Sequence, residues 1–287
     1  MAIIRMTKMH GTGNDYVYVD CREHDLADPQ RVARAVARRH HGIGADGLIL
    51  IRPSTAAHCR MEMYNADGSR AEMCGNGIRC VGKFVSDRGL GANPLTVETD
   101  CGVKTLALAL DASGRVSGAT VDMGPPVFDG PRIPVASEGR VIEQPLEVGG
   151  TTYHVTCLSM GNPHCVVFVP EVEALELDRI GPRFEGHRFF PERVNTEFVA
   201  VRSRRELDFR VWERGSGETM ACGTGACAAL VAAHVTGRTD RRATIHLRGG
   251  DLDVEWRADD HAYLTGGAAE VFTADVDLAM LYAATER

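Results

Sequence analysis

The tetrapeptide Cys74-Gly75-Asn76-Gly77 returns 148 residues later as Cys222-Gly223-Thr224-Gly225. Each copy runs into apolar residues at helical spacing, so each cysteine stands just ahead of a helix. A sulfur there meets the N–H groups of the first turn and the positive end of the helix dipole. Both favour a thiolate, and the expectation is a thiol pKa lowered from about 8.5 toward neutrality. The same N–H groups suit a carboxylate, and the flanking glycines let a ligand approach the backbone closely. One thiolate and one thiol on opposite faces of a carbon can remove an α-proton and deliver another from the far side, which inverts the centre. No lysine sits in an evident pyridoxal-phosphate context and no nucleotide-binding fingerprint stands out. The chemistry read here therefore uses no cofactor, and no C-x2-C pair suggests a structural metal.

Other residues keep the same offset. Gly13-Asn14 becomes Gly161-Asn162, and Gly89, Gly102 and Gly118 become Gly237, Gly250 and Gly266. Six glycines coincide at this offset, against about two for random placement. Tyr64-Asn65 corresponds to Trp212-Glu213, and Gly47 to Asn195. Asn14, Asn65, Asn162, Glu213, Arg214 and His164 form, with the cysteines, a polar set suited to an amino acid carrying several charges. Each has a plainer reading as well: turn residues for the asparagines, a surface pair for Glu213 and Arg214, a core imidazole for His164. Two other classes fit parts of the pattern. A cysteine-nucleophile hydrolase activated by His164 has no use for a second equivalent thiol, and an amino-acid binding module explains the asparagines but not the paired cysteines.

The elements that must hold these residues are short. Tyr16–Val19, Leu48–Ile51, Cys165–Val169 and Glu197–Val201 read as strands. Ile78, Val81, Phe84 and Val85 give the first helix one apolar face, ending before Gly89; Ala226 to Val235 is apolar nearly all round, ending before Gly237. A helix of the second kind belongs inside a sheet. The fold class expected is α+β: two pseudo-symmetric lobes from an internal duplication, each a curved β-sheet around a central helix, with the active-site cleft between them. One lobe takes residues 1–123 plus 270–287 and carries Cys74; the other takes 124–269 and carries Cys222.

Of 287 residues, 44% are hydrophobic and 25% charged, and the formal net charge is −7. That balance belongs to a folded globular chain and argues against nucleic acid or anionic lipid as a general partner. Nothing resembles a membrane span of about 20 apolar residues. The opening residues from Met1 lack a signal-peptide core, and nine cysteines are an odd number. Both point to the reducing cytoplasm.

Taken together, the motifs resemble those of the diaminopimelate epimerases, cofactor-independent two-thiol enzymes. They are Met9–Asp15, Gly42–Gly47, Tyr64–Gly68, Met73–Gly77, Met160–Cys165 and Glu213–Gly225, and they cover essentially the whole chain. The resemblance implies interconversion of LL- and meso-2,6-diaminoheptanedioate in lysine and cell-wall precursor synthesis, by a homodimer. It implies Cys74 as base and Cys222 as acid in the LL-to-meso direction. Gly75, Asn76, Gly223 and Thr224 would receive the reacting carboxylate through backbone N–H groups. Asn14, Asn65, Asn162, Asn195 and Arg214 would hold the substrate's polar groups, mostly at its distal end. Glu213 would meet the reacting ammonium, with His164 tuning the site. Some members carry Gln at Gly47, so a substrate contact there is expected to be lost or supplied by water or a neighbour. Within the same class, a racemase of another amino acid such as histidine is the alternative.

Overall fold

A computed structural model describes residues 3–285. Met1, Ala2, Glu286 and Arg287, which the N-terminal reading and the first lobe take in, lie outside the described residues. The chain divides into two compact units. The first runs to Val121 and is rejoined from Gly266, and the second is Asp122–Thr265.

The first unit contains β1 (Ile3–Gly11), β2 (Asn14–Asp20), β3 (Gly47–Arg52), β4 (Cys59–Asn65), the two-residue β5 (Arg70–Ala71), β6 (Leu95–Thr99), β7 (Gly102–Leu110) and β8 (Val116–Gly124). The second contains β9 (Gln144–Val148), β10 (Thr151–Ser159), β11 (Pro163–Phe168), β12 (Asn195–Ser203), β13 (Glu206–Glu213), the short β14 (Gly217–Glu218), β15 (Arg242–Leu247), β16 (Gly250–Trp256) and β17 (Ala262–Gly267). A last strand, β18 (Ala269–Asp277), pairs antiparallel with β1 and so belongs to the first unit. The helices are α1 (Pro29–Ala37), α2 (Gly75–Ser86), α3 (Leu177–Glu185), α4 (Gly223–Val235) and α5 (Leu278–Thr285).

The first sheet runs β18-β1-β2-β3-β4-β6-β7-β8. Its neighbours are antiparallel except β2–β3 and β4–β6. The second runs β9-β10-β11-β12-β13-β15-β16-β17, again antiparallel except at the third and fifth junctions. The two sheets share one pattern of directions. β1 and β10 lie 148 residues apart from end to end, as do α1 and α3. The duplication is therefore a property of the architecture, and the molecule is mixed α+β as the sequence predicts. The edge strand alone is recruited differently: β9 precedes β10 directly, whereas β18 returns from the far end of the chain.

Each unit builds its sheet about a buried helix. α4 is Gly, Ala, Cys, Leu and Val from Gly225 through Ala233, and all nine are buried. Full burial of a side chain such as Leu230 or Val231 contributes about 1.5–3 kcal/mol. α2 departs from its sequence pattern. The apolar face is there, but Gly75–Val85 is buried on all sides, including Arg79 and Lys83. The polar stripe that reads as a solvent face is lined instead by protein acceptors: Lys83 donates to Asp87 and to the Val116 carbonyl. The hairpins leading to both helices carry the same ion pair with its charges exchanged. Glu62 and Arg70 in the first unit (3.6 Å) correspond to Arg210 and Glu218 in the second (2.8 Å). No described helix is long and apolar enough to cross a membrane.

Candidate active site

Both thiols cap helices. Cys74 is extended (φ −135°, ψ 118°), and its sulfur accepts the Gly77 N–H at 3.3 Å; Cys222 (φ −121°, ψ 110°) accepts the Gly225 N–H at 3.4 Å. This is the N-cap role usually filled by Ser or Asp. The helix ladder begins at once, with Ile78 and Ala226 donating to the Cys74 and Cys222 carbonyls. Gly75-Asn76 and Gly223-Thr224 thus form the first turns, where orphan N–H groups and the dipole favour an anion.

Around Cys74, the thiol donates to Asn14 Oδ1 at 3.2 Å. Asn14 is held by its other end, Nδ2 donating to Asp46 Oδ2 at 2.7 Å, and Asp46 also takes the Asp15 N–H. Burial, with the Asp15 charge beside it, pushes the Asp46 carboxyl up. Because a carboxylate accepts only, it turns the Asn14 amide so that the carbonyl faces the sulfur. Asn65 closes the β4–β5 turn, its Nδ2 donating to Ser69 Oγ at 3.0 Å. Arg79, fully buried, clasps the first turn of α2. It donates to the Gly75 carbonyl, Asn76 Oδ1 and Thr12 Oγ1, each at 3.0 Å.

Around Cys222 the arrangement is acidic. Thr219 donates to Glu213 in a short bond, and His164 sits fully buried between Glu197 (Nδ1 to Oε1, 2.7 Å) and Asn162 (Nε2 to Oδ1, 2.8 Å). Asn162 therefore has its carbonyl engaged and its NH2 turned away from His164, the reverse of Asn14. Asn195 is nearly buried and cross-links the backbone, accepting the Arg214 N–H at 2.9 Å and donating to the Pro163 carbonyl at 3.0 Å. It thereby holds the turn at Arg214. The Arg214 guanidinium is exposed and bonded to the Glu192 carbonyl at 3.2 Å; it makes no ion pair among the described residues.

One sequence expectation needs correction. The thiol at Cys222 is raised well above its ordinary pKa, not lowered. Burial dominates, and the charges of Glu213 and Glu197 add to it, outweighing the Gly225 N–H. The helix-start argument omits desolvation, which here is the larger effect. At Gly47 the backbone is tightly packed. A Cβ built there would stand 2.1 Å from the Tyr64 carbonyl oxygen and 2.9 Å from Tyr16 Cε1. A side chain at this position requires the β3–β4 backbone to shift. Gly47→Gln should therefore destabilise the first unit, by about 1–3 kcal/mol on the scale of overpacked cores, and thermal unfolding measures it. A midpoint at or above wild type would show that the strand accommodates the side chain.

Sequence reasoning assigned no role to Arg79, Glu197 and Asp46. Asp46 lies inside the Gly42–Gly47 motif, but its own part emerges only from the fold. Glu197 opens an otherwise apolar strand segment, and a lone carboxylate in such a run is the signal that could have found it. Among the described residues no group of three or more His, Cys, Asp or Glu is placed to hold a metal ion.

The fold is shared with solved structures. A phenazine biosynthesis protein of the PhzF family from Bacillus anthracis superposes with a TM-score of 0.67 at 16% identity, covering 96% of this chain and 100% of that one. A probable proline racemase from Agrobacterium radiobacter superposes at 0.69 with 14% identity, covering 96% and 93%. At such identities the likeness concerns the fold, which is that of the PhzF and proline racemase-like epimerases. The class narrows with sequence. The family model described as diaminopimelate epimerase matches residues 6–128 and 156–271. The diaminopimelate epimerase of Acetivibrio thermocellus is 51% identical over 278 residues, 96% of this chain and 99% of that protein. That of Agathobacter rectalis is 50% identical over 285 residues, 96% and 100%. This chain belongs to the diaminopimelate epimerase family.

Proposed function

We infer that this chain interconverts LL- and meso-2,6-diaminoheptanedioate by proton transfer between two thiols. The observation that carries the mechanism is the repeated device: an N-capping cysteine on a buried helix, met twice in sheets of the same strand order. In the LL-to-meso direction the Cys74 thiolate takes the α-proton, breaking C–H and forming S–H. The electron pair moves into the carboxylate, whose oxygens the helix first turns stabilise. Cys222 then gives its thiol proton to the opposite face, forming C–H and becoming the thiolate. The next turnover in the reverse direction starts from that state. The raised Cys222 thiol supports its role as the protonated partner.

An α-carboxylate is served by backbone N–H groups, so the exposed Arg214 fork is surplus for a monocarboxylate. It suits a second carboxylate in a bidentate pair, which favours diaminoheptanedioate over histidine as substrate. Arg214→Lys keeps the charge and loses the fork. It should reduce kcat/KM about tenfold to a hundredfold, for a charge-assisted bond of about 1.5–3 kcal/mol. A variant with unchanged kcat/KM removes Arg214 from the distal site. Family membership extends the reading to a cytoplasmic homodimer, for which sedimentation should give twice the 31.1 kDa chain mass. The decisive experiment is incubation with the LL isomer in D2O. Meso product carrying deuterium at one α-carbon supports the reading, and faster racemisation of histidine overturns it.

A further inference from the structure

The two thiol devices differ at one buried position. Gly77 and Gly225 are equivalent, each the third residue beyond its cysteine and each the donor to its sulfur. A Cβ on Gly77 would stand 2.7 Å from Ile49 Cδ1, and one on Gly225 would stand 2.8 Å from Glu197 Oε1. Ile49 and Glu197 are 148 residues apart and occupy the same place beneath the two helix starts. A methyl group lies under the first turn of α2 and a carboxyl oxygen under the first turn of α4.

Glu197 is an expensive residue to keep there. It is completely buried, and while Oε1 is bonded to His164, Oε2 has no hydrogen-bond partner. Burial pushes its carboxyl up, against the opposing pull of His164. A strand with Ile at this position, as in the first unit, would avoid both penalties. The groups facing Glu197 are His164 from β11, Glu213 from β13 and Cys222 from α4. Glu213 repeats the contrast, since its counterpart in the first unit is the neutral Asn65.

We propose that Glu197 is a positioning residue that acts through Cys222: paired with His164 it keeps its charge despite burial, and that charge adds to burial in holding the thiol protonated, so that Cys74 is the thiol that ionises first. The proposal rests on the two-thiol reading and gives the duplicated cysteines their unequal roles. The two thiols share a helix-start setting but differ in burial, Cys222 being buried and Cys74 half-buried. A carboxylate beneath one and a methyl beneath the other adds a charge to that difference, and the direction agrees with the Cys222 thiol, raised by burial first and by Glu213 and Glu197 after it.

The test is the pH dependence of iodoacetamide alkylation at each cysteine of the full chain, read by peptide mass spectrometry. Midpoints are compared rather than rates, because the two sulfurs differ in exposure. In wild type the Cys222 midpoint should lie above that of Cys74. Glu197→Gln retains the shape and a bond to His164, and should lower the Cys222 midpoint by about one pH unit or more, a tenfold gain in thiolate at fixed pH. The Cys74 midpoint should stay in place. Glu197→Asp, which keeps the charge, should hold the Cys222 midpoint above that of Cys74. An unchanged Cys222 midpoint in the Gln variant, an equal fall in the Asp variant, or a wild-type Cys222 that ionises below Cys74 overturns the proposal. Should Glu197 act only by orienting His164 and Asn162, KM rises in the Gln variant and the Cys222 midpoint does not move. Persistence of epimerisation in Cys222→Ala would instead refute the two-thiol reading, whatever the alkylation profiles show.

Discussion

Cys74→Ala and Cys222→Ala should each stop the inversion of LL-diaminoheptanedioate while leaving the chain folded, if the two thiols are the proposed proton-transfer pair. Inversion needs a proton-transfer group on both faces of the α-carbon, and each variant leaves one face bare. A positioned general acid or base contributes typically 10²–10⁴-fold, so the loss at either position should be at least of that order. The structural penalty is small by comparison. Each sulfur accepts one backbone N–H, from Gly77 or Gly225, and loss of an N-cap acceptor costs about 0.5–2 kcal/mol. Meso product is followed by chiral chromatography, with circular dichroism as the folding control. The two variants also separate the half-reactions. With Cys74 intact and Cys222 gone, deuterium from D2O can enter the LL substrate with retention, because the remaining thiol removes and returns a proton on one face. Inversion within tenfold of wild type in either variant would rule out the two-thiol mechanism.

The architecture was legible because its chemistry is repeated. A constant offset of 148 residues linked Cys74 to Cys222 and Asn14 to Asn162, and the same offset carries β1 onto β10 and α1 onto α3. The apolar run from Ala226 to Val235 announced a helix enclosed by a sheet, and α4 is that helix. The reading weakened where burial decides a side chain's behaviour. A thiol at a helix start was expected to ionise readily, but how far Cys222 is desolvated depends on strands remote in sequence. The apolar face of α2 was legible, but periodicity cannot show that carbonyls and hydroxyls await Arg79 and Lys83 on its other side. The close approach of the Tyr64 carbonyl to Gly47 is likewise invisible in a sequence. That the Asn195 amide also ties the Pro163 carbonyl to the Arg214 N–H could not be read from the sequence.

Arg79 carries the second large expected effect. Arg79→Met should loosen the first turn of α2 and destabilise the first unit by several kcal/mol, at about 1–3 kcal/mol for each buried acceptor left unpaired. The guanidinium donates to the Gly75 carbonyl, Asn76 Oδ1 and Thr12 Oγ1 at 3.0 Å, and through Nε to the Gly267 carbonyl at 3.3 Å. Met fills much of the same volume, so the cavity is modest and the loss is chiefly of hydrogen bonds. Acceptors left dry without a donor cost about 1–3 kcal/mol apiece, though neighbouring losses do not add in full. Lys is a poor substitute, since one ammonium cannot span acceptors arranged for a planar fork. The consequence reaches catalysis through geometry. Gly75 and Asn76 belong to the turn that begins at Cys74, and Thr12 lies two residues from Asn14, which meets the sulfur. Hydrogen–deuterium exchange should show faster exchange across Gly75–Ser86 in Arg79→Met, with Arg79→Lys affected in the same direction. Unchanged protection of α2 together with an unchanged unfolding midpoint would mean that the clasp contributes nothing to the turn, and that the placement of Cys74 depends on the strands alone.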